Sequence, residues 1–334
     1  MRAALLAALA ACGGSGHAGS DAPAGDAAGD VAVSDAPASS ALGTVSATPA
    51  TCPQGMPATA QCQTLTVTDC PGIESESITA TVGVLAGSGA GTIVHFSGGG
   101  GEGVENTGAQ AYAAAGFRQV FVAWATDWEQ TTSAGIKTAA CRPATVLQWA
   151  FDTLHGRDRT KGFCGQGFSG GSGQLGYALA TYGMGAVLDY VNELSGPPFA
   201  RIDLGCDGNA AATATVCGAS VTMRLPSKLD SWENIPAPNS CGATTNTATE
   251  IARWRDDSIA VGGVYAYPNT RVEFFDCTNQ ATAVTGMAQL YEMQITSTTA
   301  YHCYSQADGC QGEGLGSGAQ QAVAAMQAGC VARH

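Results

Sequence analysis

The chain has 334 residues, 45% of them hydrophobic and 12% charged, with 45 glycines and 13 cysteines. These are the proportions of a globular protein of one large or two small domains, and they exclude disorder throughout. A formal charge of −13, from 14 Lys and Arg against 27 Asp and Glu, excludes nucleic acid as a partner, because phosphate binding needs clustered cations; the sparse charge excludes a coiled coil, and no apolar run reaches the roughly 18 residues of a membrane-spanning helix.

Residues 1–11 read as an export signal, with Arg2 as the positive start, Ala3 to Ala11 as a short apolar stretch and small residues before Cys12. Leu9-Ala10-Ala11-Cys12 resembles the cleavage motif of bacterial lipoprotein signals. That resemblance implies a lipid on Cys12, an anchor in a membrane of the cell envelope and a folded domain outside the cytoplasm. The competing reading is an ordinary secretory peptide cleaved nearby. Residues 13–50 are rich in Gly, Ala, Ser, Pro and Asp and hold no aromatic residue, too little apolar surface to offset the entropy of ordering. With Cys12 they read as a flexible tether over 12–50, spanning roughly 35 Å as a Gly/Ser-type chain.

The folded domain is expected over 51–334. Cys52 to Cys70 is a cysteine-dense entry. Strands are predicted at Ile78 to Leu85 and Thr92 to Ser97, then a helix from Asn106 to Ala115 ending at Gly116. A buried strand follows at Arg118 to Trp124. Pro143 to His155 predicts a helix, with Pro143 in the first turn, Gly156 at the end and an apolar face of Val146, Leu147, Ala150, Phe151 and Leu154. Then come a strand at Lys161 to Gln166, a helix from Gly170 to Tyr182 stopped by Gly183, and a strand at Ala186 to Leu194. Residues 199–268 break the rhythm with three cysteines, several prolines and Asn-rich turns, and read as a cap-like insertion over one end of a sheet. The alternation resumes with strand Arg271 to Phe275, helix Val284 to Gln294, strand Thr298 to Cys303 and helix Ala319 to Ala328. Strands alternating with helices predict an α/β fold with a mostly parallel central sheet covered on both faces.

Beyond Cys12 the chain has twelve cysteines. An even number in an exported chain predicts disulfides, whose pairing is not readable from spacing. No CxxC pair and no HExxH occurs, so no metal is expected. No cofactor motif occurs either.

Gly167-Phe168-Ser169-Gly170-Gly171 matches GxSxG. Its context gives it weight: an apolar strand with Phe163 and Cys164 precedes it, and a helix with Leu175, Ala178, Leu179 and Tyr182 on one face follows. Such a strand–turn–helix exposes a serine hydroxyl at a sheet end and a helix N-terminus. The alternative is a Gly-rich turn in which Ser169 merely caps the helix. A nucleophilic serine needs a base. Of the five histidines, His17 lies in the tether, His334 is the last residue, His155 ends a surface helix and His95 lies inside an apolar strand. His302, at the end of the last predicted strand, is the candidate base. Asp276 ends the strand before it and is the candidate orienting acid, with Asp203 and Asp207 as competitors. The oxyanion needs backbone N–H donors. Gly170 offers one, and Gly98 or Gly99 in the run Ser97-Gly98-Gly99-Gly100-Gly101 the other. No GxxxxGK[ST] and no GxGxxG opening a helix supports a phosphate loop. Trp124 and Trp128 read either as core or as a wall at the active-site rim. Glu102, Glu105 and Glu129 read as solvated loop charges.

The order of glycine loop, GxSxG elbow, acid and histidine resembles the α/β-hydrolase superfamily over roughly residues 75–334. The resemblance implies Ser169 as nucleophile, Asp276 as the acid after the penultimate strand and His302 as the histidine after the last. Members often carry His-Gly where this chain has Ser97-Gly98. Cys277 and Cys303 directly follow the acid and the base, and a likeness to secreted polyester hydrolases implies a Cys277–Cys303 disulfide.

The resulting expectation is an extracytoplasmic serine hydrolase of carboxylic esters, acting on a small or polymeric ester substrate and needing neutral or alkaline pH. A catalytically silent surface lipoprotein that binds a glycan, lipid or protein on the same fold is the alternative, and a serine peptidase a further one.

Overall fold

The computed structural model describes residues 40–132, 134–208, 213–225, 229–234, 241–278, 284–311 and 314–334. The export signal, Cys12 and His17 lie outside the described residues. Among the described residues there are eleven strands: β1 (Thr44–Pro49), β2 (Gln61–Thr68), β3 (Ile78–Leu85), β4 (Gly91–Phe96), β5 (Arg118–Trp124), β6 (Gly162–Phe168), β7 (Tyr190–Leu194), β8 (Thr213–Val216), β9 (Ala219–Thr222), β10 (Arg271–Cys277) and β11 (Thr299–Tyr304). The α-helices are α1 (Ala109–Ala114), α2 (Ile136–Ala139), α3 (Cys141–Trp149), α4 (Gly170–Ala180), α5 (Ile202–Cys206), α6 (Leu229–Trp232), α7 (Ala248–Asp257), α8 (Val284–Glu292) and α9 (Ser317–Gly329). Among the described residues no helix is long and apolar enough to cross a membrane.

Nine strands form one sheet in the order β1-β2-β3-β5-β4-β6-β7-β10-β11. The first three pairings are antiparallel and the rest parallel. Strand β4 is buried along its whole length and β5 to β7 nearly so, as in a sheet covered on both faces. Helix α4 is buried at every residue. Its glycines permit this: a Cβ on Gly173 would stand 2.6 Å from the Phe199 ring, and one on Gly176 3.1 Å from Ile259.

Among the predicted boundaries that move, three have a plain physical reason. Residues 44–49, assigned to the tether, form β1, paired antiparallel with β2 from Thr44↔Thr68 to Pro49↔Gln63. An edge strand needs no core of its own; this one is almost wholly exposed and held by its ladder and by Gly43 N–H to Thr145 Oγ1 at 2.9 Å. The strand predicted from Ala186 starts at Tyr190, because Val187 and Leu188 N–H both bond back to Met184 O in a turn. The helix predicted at Pro143 is preceded by α2 and begins at Cys141; its last turn, Ala150–Leu154, is a wider π-helical turn.

Between β7 and β10 the chain leaves the large sheet and builds α5, the β8–β9 hairpin, α6 and α7. Disulfide Cys206–Cys241 closes this excursion, and Cys217–Cys303 ties the hairpin turn to β11. Cys52–Cys62, Cys70–Cys141, Cys164–Cys330 and Cys277–Cys310 complete the set. All twelve cysteines beyond Cys12 are paired, which fits an oxidising compartment. The implied Cys277–Cys303 pair is not formed. Cys277 joins Cys310 in the turn after β11, and Cys303, an exposed position of β11, joins Cys217.

Candidate active site

Ser169 follows β6 and precedes α4. Its backbone sits at φ 52°, ψ −114°, a region that non-glycine residues enter at a cost and that concentrates at functional sites. The surroundings enforce it. Ser169 N–H donates to Leu194 O at 2.8 Å, and Gly173 N–H to Ser169 O at 3.3 Å. The turn closes because Gly167 and Gly171 have no side chain. A Cβ on Gly167 would lie 2.5 Å from Gly171 O, and one on Gly171 2.1 Å from Phe96 O. Ser169 makes no side-chain cap bond to α4, so the capping alternative does not hold. The residue is half-buried.

The glycine loop folds onto this turn. The Cβ position of Gly98 is 3.2 Å from Ser169 Cβ, and that of Gly170 is 2.2 Å from Gly99 O and 3.0 Å from Gly99 N. Gly99 stands at φ 59° with open space beside it. On its far side the loop is pinned by Trp124 N–H to Gly101 O at 2.9 Å and Trp128 N–H to Gly100 O at 3.0 Å. The structure thus brings Ser169, Gly98, Gly99 and Gly170 together at one turn.

Asp276 is fully buried at the carboxyl end of β10. Its Oδ2 accepts Tyr301 Oη–H at 2.6 Å. Burial pushes its carboxyl well above the usual range, opposed by the Tyr301 bond and the Gly196 N–H. One strand away, Glu193 on β7 is also fully buried. Burial pushes it up as well; Ser172 opposes this and the neighbouring Asp276 charge adds to it. Sequence reasoning missed Glu193, although a glutamate in the strand that follows the elbow helix was a visible signal. Its folded pKa is raised, so its stabilising contribution is complete below the unfolded value of about 4.3 and is lost as pH rises through the folded one. Glu193→Gln removes that dependence. Melting curves from acid to alkaline pH are expected to show the variant gaining on the wild type by at least about 3 °C; a gap independent of pH would refute the assignment.

The structure does not bring His302 to Ser169. Residue 302 is level with Phe275, and 301 with Phe274. Side chains alternate across a sheet, so Tyr301 shares a face with Asp276 while His302 stands on the other. There His302 stacks on Phe275 with ring centroids 4.5 Å apart and its Nε2 lies 2.9 Å from Glu273 Oε2. Glu273 is also paired with Arg271. The other described histidines are engaged elsewhere. His95 is fully buried, stacked on Phe121, and pushed down to about 3 by burial. His155 bonds Thr92 Oγ1 and Asp158 O, and His334 lies against Leu188 O.

The competing acids also have other surroundings. Asp203 receives Arg201 in a two-pronged bond at 2.8 and 2.7 Å, and Asp207 is half-buried just after α5. Trp124 and Trp128 are core residues. The indole of Trp124 donates to Gln174 Oε1 at 2.8 Å, and Trp128 packs edge-on against Tyr177 and Phe199. Glu102 is exposed, as expected. Glu105 and Glu129 are buried instead: Glu105 accepts Thr107 N–H at 2.7 Å, and Glu129 lies within the field of the buried Arg142.

No family model matches the chain, and no curated protein matches its sequence. Solved structures do. Acetyl xylan esterase 1 from Thermoanaerobacterium sp. JW/SL YS485 superposes with a TM-score of 0.52 at 12% identity, over 85% of this chain and 88% of that one. A thermophilic and thermostable carboxylesterase cloned from a metagenomic library gives 0.50 at 13% identity, over 81% and 89%. At that identity the likeness establishes architecture, and the chain has the α/β-hydrolase fold.

Proposed function

We propose that this protein is a serine hydrolase that cleaves carboxylic esters outside the cytoplasm, anchored by a lipid on Cys12. The observation that carries the reading is Ser169 itself, held at φ 52° with no cap bond and enclosed by Gly98, Gly99 and Gly170. In this reading Ser169 Oγ attacks the ester carbonyl. The negative oxygen is received by the N–H of Gly170 and of Gly98 or Gly99, the alcohol leaves, and water releases the acyl group. Esters are favoured over peptides because an alkoxide leaves with less help from a proton donor than an amine does, and the described residues place no imidazole beside Ser169. The esterase names of the two structures described above agree with this reading. One observation favours the silent binding protein instead: His302 is turned to Glu273.

The test is intact-mass analysis after a fluorophosphonate probe, on the wild type and on Ser169→Ala. One adduct on the wild type and none on the variant is the expected outcome. A folded wild type that takes no adduct would transfer the fold to the binding reading.

A further inference from the structure

Three residues stand level at the carboxyl edge of the sheet. Phe168 pairs with Leu194, and Leu194 with Phe275. Both ladders run on by one residue, since Ser169 N–H donates to Leu194 O at 2.8 Å and Ser195 N–H to Phe275 O at 2.9 Å. Ser169, Ser195 and Asp276 therefore follow one another across β6, β7 and β10. Two strand spacings separate Ser169 from Asp276, about 10 Å between Cα atoms. Side chains at level positions stand on the same face of a sheet, so Ser169 and Asp276 share a face, separated by more than one direct hydrogen bond. Ser195, in the middle of the row, is fully buried and held at φ 48°, a second strained serine in the same place. The next residue braces both flanks. The Cβ position of Gly196 is 3.0 Å from Ser169 O, and its N–H is a hydrogen-bond partner of Asp276.

The geometry points to Asp276 as the base that takes the Ser169 proton, through one intervening water, with no imidazole in the path. This rests on the serine-hydrolase reading above. As Ser169 Oγ bonds to the carbonyl carbon, its proton passes to the intervening oxygen, whose own proton passes to the Asp276 carboxylate. The carbonyl π pair moves onto the oxygen facing the glycine loop. When the tetrahedral centre collapses, the C–O bond to the alcohol breaks and the departing oxygen takes a proton back along the same row. Water then repeats the cycle on the acyl-enzyme and restores Ser169 and Asp276. The environment suits a carboxylate base. Burial raises its basicity above that of a free aspartate, while Tyr301 from β11 and Gly196 hold the charged form; Glu193 on β7 is the other carboxyl facing it. Activity should fall as pH drops through the raised pKa of Asp276.

The experiment is the rate of Ser169 phosphonylation by a fluorophosphonate on the full chain, from about pH 4 to about pH 9, for the wild type, His302→Ala, Asp276→Asn and Tyr301→Phe. His302→Ala should stay within about threefold of the wild type, and Asp276→Asn should fall by at least about 100-fold, the scale of general-base catalysis. Tyr301→Phe removes a donor to the charged form, so its acid limb should move upward by about half a pH unit or more. That shift keeps the test alive should Asp276→Asn fail to fold, and a merely structural tyrosine would not produce it. A wild type that labels but loses about 100-fold on His302→Ala would overturn the carboxylate base and leave the hydrolase standing. An unmoved acid limb in Tyr301→Phe would also overturn it. A wild type unlabelled at every pH would end both readings.

Discussion

Gly171→Ala is expected to reduce fluorophosphonate labelling of Ser169 by at least about 100-fold and to lower the melting temperature by about 5 °C or more. The added methyl has nowhere to go. It would lie 2.1 Å from Phe96 O, 2.6 Å from Phe96 C and 2.9 Å from Ser97 O, all backbone of β4 and of the glycine loop's first residue. No rotamer change relieves a clash with backbone, so either α4 lifts from β4 or the loop leaves the elbow. The first motion relaxes Ser169 from its strained φ; the second removes the Gly98 and Gly99 amides from the carbonyl oxygen. Either one costs the site its preorganised donors, each worth a factor of about 10² to 10³. Gly156→Ala is the control. It sits at φ 71° with open space around its Cβ position, so it should cost about 1 kcal/mol of backbone strain and leave labelling unchanged. Normal labelling in a folded Gly171→Ala protein would show that the elbow does not depend on this contact.

The elbow was legible because its determinants are local. A turn this tight needs glycine two residues before and two after the serine, and the strand and helix on either side announce themselves by apolar period. Strands β3 and β5 were also plain in sequence, as alternating and continuous apolar runs with turn residues at both ends. What escaped depends on pairing. Strand β1 carries almost no buried residue, so no hydrophobic pattern marks it, and its stability comes from the edge it joins. His302 lies in the predicted strand, but its partner is decided by which face it occupies. A shift of one residue in β11 would exchange His302 for Tyr301 beside Asp276. Sequence spacing cannot resolve a single residue of register. Cysteine pairing fails for the same reason: the Cys277–Cys303 bridge that the resemblance implied is not formed, since Cys303 is level with Asp276 and stands on the face opposite Cys277. The buried carboxyls Glu193 and Glu129 defy the habit of placing acids on the surface, and Glu193 lies beside the elbow helix.

Removing the Cys164–Cys330 bridge is expected to lower the melting temperature by about 8–15 °C, the larger value if the paired sites pack poorly as alanine. The two residues are 166 positions apart, so the bridge closes the longest loop of the six and withdraws the most freedom from the unfolded chain, about 4 to 5 kcal/mol by loop entropy. Both cysteines are buried, at 0% and 1% exposure. They join the strand that leads to Ser169 to the end of α9, beside a cluster of Ile93, Tyr112, Phe117, Tyr190 and Met326. Breaking the bridge therefore loosens α9 from the sheet as well as lengthening the free chain. Cys52–Cys62 closes only 10 residues near an edge strand, and its removal should cost about half as much or less. Calorimetry of the two double alanine variants, with phosphonylation of Ser169 measured alongside, separates the effects. The long bridge should govern melting, and Ser169 should keep its labelling rate in both variants at low temperature, because the elbow's own contacts are made by β4, α4 and the glycine loop. Equal melting shifts for the two bridges would mean that loop length does not set their contribution, and slowed labelling in folded Cys164→Ala/Cys330→Ala would mean that α9 helps hold the site.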